Sequence, residues 1–281
     1  MFFKSFEAVK FKIIRFIERN YKLNLLIYNN INLLKFLLPH EKDYYGMLLL
    51  SIQKNSGVIL DIGASLGISS MGFRKLGFKN KIYAFEPNYY LFINYLKKNF
   101  KKDKKISLKN IALSNENGSK IMYFPFYNSK CIHYFSSFDK KYLINSIKIT
   151  FPKLLKNLVI KKKKIKCVKY DDLNLQIKPY FIKIDTEGYD HLVLEGLKKT
   201  IEKYKPIFLI EYNQEYYNNV KKILNNYAPY IYDIKKNKMI KLRKKINNKR
   251  ISRTTKLNYL SIRNIYFIHK DKENKLWLFQ L

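Results

Sequence analysis

Acidic residues are scarce in this chain: 21 Asp and Glu stand against 56 Lys and Arg, for a formal net charge of +35. Such a surface attracts nucleic acid, anionic membrane or acidic glycan through its field alone. The basic residues are spread along the whole length and are accompanied by abundant Asn, Ile, Tyr and Phe. A general compositional bias therefore explains them better than a dedicated nucleic-acid surface, and weak association with polyanions follows in either case. Cysteine is nearly missing. Cys131 and Cys167 are too few for a disulfide framework or a metal quartet, and a reducing cytoplasm is the expected location. Long apolar runs are missing as well, since none reaches the ~18 uncharged residues a membrane span needs. "LNLLIYNNINLLKFLLPH" is broken by Asn29, Asn30, Asn32 and Lys35. The opening "MFFKSFEAVKFKIIRFIERNYK" has basic residues inside its apolar stretch and no small-residue cleavage site, which argues against a signal peptide.

What is present suffices for a folded core. With 281 residues, 47% of them hydrophobic and 16% aromatic, the chain fits one large domain or one domain with appendages, and general disorder is excluded. Residues 1–55 read as a helical extension without a chemical motif. Within it Phe6, Val9, Ile13 and Phe16 or Ile17 recur at helical spacing among Lys10, Lys12 and Arg15. This helix either packs on its own domain or a partner, or lies on an anionic membrane as a weak peripheral contact. The first is the commoner case.

Residues 56–281 form the expected main domain. From 57 to 235 short apolar runs alternate with amphipathic stretches, the pattern of βαβ units and a parallel sheet. "GVILDIG", "KIYAFEPN", "KISLKNIALS", "FIKIDTEG", "PIFLIEYN" and "YIYDIKKN" read as strands. "SSMGFRKLG", "YYLFINYLKKNF", "DHLVLEGLKKTIEKY" and "QEYYNNVKKILNNY" read as helices. The insertion 118–169 is less regular. It holds one strand, "KIMYFPF", and a lysine run, Lys161 to Lys164, that reads as a solvated turn. From 236 the polar, basic "KKNKMIKLRKKINNKRISRTTK" reads as a loop, followed by the apolar runs "NIYFIHK" and "LWLFQL".

Two places carry chemistry. In "VILDIGASLGISS" the carboxylate of Asp61 ends a strand, and Gly63, Ser65 and Gly67 precede a helix. Small residues there allow a sharp turn and close approach of a ligand to helix N-terminal amides. Glu86, in "YAFEPN", lies 19 positions past Gly67, near the ~20-residue interval at which an acid grips ribose hydroxyls. An acid in the first turn repels a pyrophosphate and suits a cationic ligand, which favours S-adenosyl-L-methionine over NAD. The second place is "FIKIDTEGYDHLVLEGL", where Asp185, Glu187 and Gly188 follow an apolar strand. Capping of the next helix explains one acid there, but not two acids together with Lys183 inside the strand.

These segments together resemble the FkbM family of S-adenosylmethionine-dependent methyltransferases. "LDIGASLG", "YAFEPN", "IALSNENGS", "KYDDL", "IKIDTEGYDHLVLEGL" and the late "NIYFIHK" follow that family's motifs in consistent order. Ser65, Tyr170 and Asp190 stand where its pattern usually has Asn, Thr and Glu. The resemblance implies a class I, Rossmann-like α/β fold: a mostly parallel seven-stranded sheet of order 3-2-1-4-5-7-6, strand 7 antiparallel, with helices on both faces. It places Asp61, Gly63 and Gly67 against the methionine part of the cofactor, Glu86 on the ribose, and the backbone at Ala112 and Leu113 beside the adenine. For the last two, plain strand-to-loop packing is an equal alternative.

Transfer to an alcohol calls for a base. Asp185 is the first candidate and Glu187 the second, while His133 and His191 are weaker. Two nearby carboxylates can hold a divalent ion, but the sequence shows no further ligand cluster, so no metal is predicted. The leading expectation is O-methylation of a hydroxyl on a sugar, a glycan or another small metabolite. An RNA methyltransferase or a basic nucleic-acid-associated protein on the same fold is the alternative. No separate RNA-binding module and no Asn-Pro-Pro-Tyr-type motif supports it, and no specific nucleic-acid partner is expected. A relic fold serving only as a membrane-recruited binding protein is disfavoured by the intact Asp61, Glu86 and Asp185.

Overall fold

The computed structural model describes residues 9–10, 12–14, 16–17, 19–28, 30, 35–50, 52, 56–213, 215–242 and 263–276. Phe6, the stretch 243–262 and the end of "LWLFQL" from residue 277 lie outside these, so the expectations made for them are not addressed. The main sheet contains β1 (Val58–Ile62), β2 (Ile82–Phe85), β3 (Ile106–Lys109), β8 (Pro179–Ile184), β9 (Ile207–Glu211), β10 (Tyr227–Asp233), β11 (Lys238–Lys241) and β12 (Asn264–His269). Its order is β11-β10-β12-β9-β8-β1-β2-β3. A smaller sheet of order β4-β7-β5-β6 is made by β4 (Ala112–Leu113), β5 (Gly118–Tyr127), β6 (Lys130–Cys131) and β7 (Val159–Val168).

The seven-stranded expectation is therefore corrected to an eight-stranded mixed sheet with a second sheet beside it. Four neighbouring pairs are parallel and three are antiparallel. Leaving out β11, the remaining seven strands run in the order 3-2-1-4-5-7-6. The extra strand comes from "KMIK", read from sequence as the start of a loop. Met239 packs into one core layer and Ile240 is half-buried against the other, while Lys238 and Lys241 are exposed, and that brief alternation suffices for pairing to β10.

Two further corrections concern the insertion. The strand read as "KISLKNIALS" stops at Lys109, and Ala112–Leu113 crosses into the smaller sheet, parallel to β7. The lysine run is no turn: Lys161–Lys164 pair in register with Phe124–Ile121 of β5. Lys163 lies 3.9 Å over the Tyr89 ring and Lys161 lies 4.6 Å over Phe126. The stems of exposed lysines cover aromatic surface there.

Strands β1, β2, β8 and β9 are covered on both faces, which is why they read as unbroken apolar runs. Alternation sorts their side chains between two layers. Ile59, Phe181, Ile207 and Leu209 join the core with Tyr44, Phe73 and Leu96. Leu60, Ile182, Phe208 and Ile210 join Val193, Leu194 and Leu224 on the other side. The N-terminal segment packs on the first face. Tyr44 meets Phe73, Phe73 meets Phe181, and Phe181 meets Tyr266 in a chain of ring contacts.

Candidate active site

In a parallel sheet of this kind ligands bind at the carboxyl edge where the strand order reverses, and here that is the β1–β8 boundary. In register, Asp61 of β1 stands beside Lys183 of β8. Both are buried on the same sheet face. The period of two puts Asp185 and Glu211 of β9 on that face too, one step nearer the edge.

Asp61 has no exposed surface. Its Oδ2 accepts hydrogen bonds from the hydroxyls of Ser69 and Ser70, both at 2.6 Å. These serines sit in the first turn of the helix Ile68–Lys75, which Gly67 opens in a left-handed conformation. Asp61 Oδ1 has no hydrogen-bond partner among the described residues and lies 3.6 Å from Lys183 Nζ. Lys183 also donates to the Gly63 carbonyl at 3.0 Å and lies 3.3 Å from Asp185 Oδ2. Burial opposes the lysine's charge, but Asp185 and Asp61, with Glu41 beyond them, hold its ammonium above the usual range.

Asp185 is the accessible end of this chain of charges, with 30% of its side chain exposed. Its amide donates to the Ile62 carbonyl, continuing the β1–β8 ladder past the last paired residues. Glu187 adopts φ +52° and accepts from the Tyr142 hydroxyl at 3.4 Å. The next helix starts at Asp190 with no side-chain cap from Tyr189. Asp190 instead reaches back to the Thr186 amide at 2.9 Å and hydroxyl at 2.7 Å, which stabilises the turn that carries both acids.

Gly63 shows how closely the two strand ends approach. A Cβ there would come within 1.8 Å of the Asp185 carbonyl oxygen, and φ is +76°. At Gly67 a Cβ would meet the Phe100 ring at 2.3 Å and Leu96 at 2.9 Å.

Glu86, at the tip of β2, is 4% exposed. Its two oxygens accept from the amides of Ser65 at 2.7 Å and Asn88 at 2.6 Å. A carboxylate has roughly four lone-pair directions, so two remain for further donors. Burial pushes its carboxyl up to about 7, against the pull of those two amides. Ala112 and Leu113 are buried in β4 and point into different core layers, Ala112 with Phe124 and Leu113 with Phe85.

The two histidines pack against aromatic rings. His133 lies in the insertion, in contact with Tyr134, and burial lowers its pKa to about 4. His191 stacks on Tyr216 with ring centroids 4.9 Å apart.

The fold adds residues that were not singled out in the sequence. Glu211, in "FLIEYN", ends β9, and ligand oxygens of Asp185, Glu187 and Glu211 lie within 4.8 Å of one another. The sequence shows no further ligand cluster beside the pair, and the fold brings Glu211 to it. These three are the described residues that could hold a divalent cation, and the same grouping can take a proton from an acceptor. An acid directly after an apolar strand is the signal that exposed Glu86, and it would have exposed Glu211 as well. Tyr142 comes from the helix Lys140–Thr150, capped by the Asp139 side chain. With Tyr216 it flanks Gly188, the two rings lying 3.9 Å and 3.4 Å from where a Cβ would be. No local sequence signal pairs Tyr142 with Glu187, 45 positions away. From the N-terminal side, Asp43 accepts from the Asn264 and Arg263 amides at 3.0 and 3.2 Å, fixing the start of β12 beside Glu211.

Comparison with known proteins gives one family match. The model of the methyltransferase FkbM domain matches residues 61–234, a span that contains Asp61, Gly63, Gly67, Glu86, Ala112, Leu113, Asp185 and Glu187. Among solved structures, a methyltransferase FkbM from Methylobacillus flagellatus KT is 15% identical with a TM-score of 0.45. The match covers 92% of this chain and 58% of that one, so the chain spans under two thirds of its length. A precorrin-6y C5,15-methyltransferase from Geobacter metallireducens GS-15 is 11% identical with a TM-score of 0.38, covering 82% of this chain and 87% of that one. No curated protein matches.

Proposed function

The chain belongs to the FkbM methyltransferase family, and from that membership we propose that it methylates a hydroxyl of a sugar, a glycan or another small metabolite, using S-adenosyl-L-methionine. The observation that carries this reading is the pairing of Asp185 with Lys183 at the β1–β8 boundary, 3.3 Å apart with the acid partly open to solvent. When bound, the cofactor supplies an electrophilic methyl carbon on a cationic sulfur.

The residues present fit that group. Glu86 retains acceptor capacity for two ribose hydroxyls, a charge-assisted arrangement. The turn through Gly63 and Gly67 would let backbone approach the methionine portion, and Ala112 and Leu113 would stand nearest the adenine. Asp61 serves from behind, since its carboxylate faces Lys183 and two serines rather than solvent.

At the acceptor, Asp185 takes the hydroxyl proton as the oxygen becomes nucleophilic, a contribution of about 10²–10⁴-fold. Lys183 holds the carboxylate in place beforehand. Once Asp185 is protonated, the lysine keeps its ion pair with Asp61, so no buried charge is left uncompensated. Glu187, tethered by Tyr142, and Glu211 stand ready to bind neighbouring hydroxyls. The rings of Tyr142 and Tyr216 offer flat faces of the kind that pack against sugar rings. We place this activity in a reducing cytoplasm.

Labelled S-adenosylmethionine, incubated with the protein and a panel of sugars and glycans, tests the reading. Asp185→Asn should cut kcat by about 10²–10⁴ while calorimetry shows unchanged cofactor affinity. Full activity in that variant, or binding of NAD in preference to S-adenosylmethionine, would overturn it.

A further inference from the structure

Nine large hydrophobic side chains are prominently exposed among the described residues, and five of them fall within residues 9–36: Val9, Ile13, Phe16, Leu26 and Phe36. Val9, Ile13 and Phe16 are 54%, 48% and 65% exposed, and their spacing of four and three places them on one helix face. The same helix sends Ile14 and Ile17 inward, both 6% exposed, into the core that holds Leu37, Leu38 and Met71. Lys10 Nζ donates to the Leu38 carbonyl at 3.1 Å. The helix is thus docked on its own domain by one face and presents a second apolar face to solvent.

Phe36, 72% exposed, adjoins Lys35, which borders a groove of about 740 Å³ with Leu38, Met71, Lys75, Phe100 and Lys102. Lys75 Nζ reaches back to the Lys35 carbonyl at 3.1 Å. Lys12, Arg19, Lys22 and Lys35 are exposed among the same described residues, while Lys10 is spent on the Leu38 carbonyl.

Apolar side chains directed at water among basic ones suit a partner that accepts both at once. A bilayer with anionic headgroups does so, because rings and aliphatic chains enter the headgroup–acyl boundary while ammonium groups meet phosphates. A second copy fits badly, since two such faces would meet with like charge on a chain already at +35. RNA would use the charge and leave Val9, Ile13, Phe16 and Phe36 exposed. No described helix is long and apolar enough to cross a membrane, so the contact is peripheral.

We propose that this N-terminal face seats the protein on an anionic lipid bilayer. The groove lies where the helix Ile68–Lys75 ends and where the chain enters β3, at the amino ends of the parallel strands. Seating there leaves the carboxyl edge, with Asp185, facing the aqueous side. The proposal does not depend on the acceptor reading above.

Co-sedimentation of the full chain with phosphatidylcholine vesicles, with and without phosphatidylglycerol, tests it. Binding should be at least about tenfold stronger with the anionic lipid. It should fall about tenfold in Ile13→Asp/Phe16→Asp, with S-adenosylmethionine affinity unchanged, and fall again in Phe36→Asp. At high salt, where the charges are screened, the native chain should retain binding that the double variant lacks, because the apolar part is unscreened. Equal binding of native chain and double variant would overturn the proposal, as would a fall of the native chain to the double variant's level at high salt. Self-association abolished by the same substitutions would assign the face to a second copy and overturn it too.

Discussion

Lys183 lies between Asp61 and Asp185, and removing it would leave a fully buried carboxylate facing an apolar side chain. Lys183→Met should therefore destabilise the fold by about 3–5 kcal/mol, the usual penalty for orphaning one member of a buried pair, measured by denaturant unfolding. Adding Asp61→Asn should recover part of that loss, because it removes the uncompensated charge; an unchanged midpoint would refute the pairing. Glu86 gives a pH signature. Burial raises its carboxyl from 4.5 to about 7, so in the free protein it takes up a proton as pH falls below about 7. Ribose hydroxyls donate to the ionised form and favour it. S-adenosylmethionine affinity should accordingly be flat above pH 7 and fall below it, by at most about tenfold per pH unit for one proton. Glu86→Gln should flatten that profile in calorimetric titrations.

Each element brings one part of the arrangement. Strand β1 supplies Asp61, the helix after it supplies Ser69 and Ser70, and β8 supplies Lys183 in register with Asp61. The strands and the helix are readable in the sequence from their apolar patterns, but the register that brings Lys183 to Asp61 across 122 positions is not. The ends of β1 and β8 are locked at Gly63, where the Asp185 carbonyl occupies the space of a side chain. Gly63→Ala should lower both stability and turnover. The backbone strain alone costs about 1–3 kcal/mol, and the displaced Asp185 would lose its position against Lys183. Thermal unfolding together with single-turnover assays would show this, and a fully active, equally stable variant would contradict the close approach. The insertion was less legible. Its lysine run looks like a solvated turn because charge dominates the pattern, yet cross-strand pairing to β5 and the rings of Tyr89 and Phe126 make it a strand. Tyr142 reaches Glu187 across 45 positions, a distance over which periodicity carries no information.

For the molecule as a whole, the surplus of 56 basic over 21 acidic residues acts as self-repulsion against the compact state. Raising ionic strength from a few millimolar toward 0.15 M, where the Debye length is about 8 Å, should raise Tm. Each kcal/mol of relieved repulsion is worth about 2–4 °C for a chain of this size. Calorimetry at fixed pH checks the sign, and a falling Tm would mean that local ion pairs outweigh the net charge. The same surplus produces weak, salt-sensitive binding to polyanions without base preference.

The motifs of the family and the acids Asp61, Glu86 and Asp185 at strand tips were written in local patterns of apolar runs and turn glycines, and the strand order came with the resemblance that those motifs carry. Physical chemistry acts there over a few neighbouring residues, so the sequence carries it openly. What waited for the folded chain depends on distance. Glu211 joins Asp185 and Glu187 because β9 lies beside β8, and β11 forms because β10 offers it an edge. Asp61 turns its carboxylate to Lys183 rather than to solvent because burial leaves no other counter-charge within reach. The N-terminal helix buries Ile14 and Ile17 and leaves Val9, Ile13 and Phe16 exposed because a helix docked by one face turns the rest of its surface to solvent.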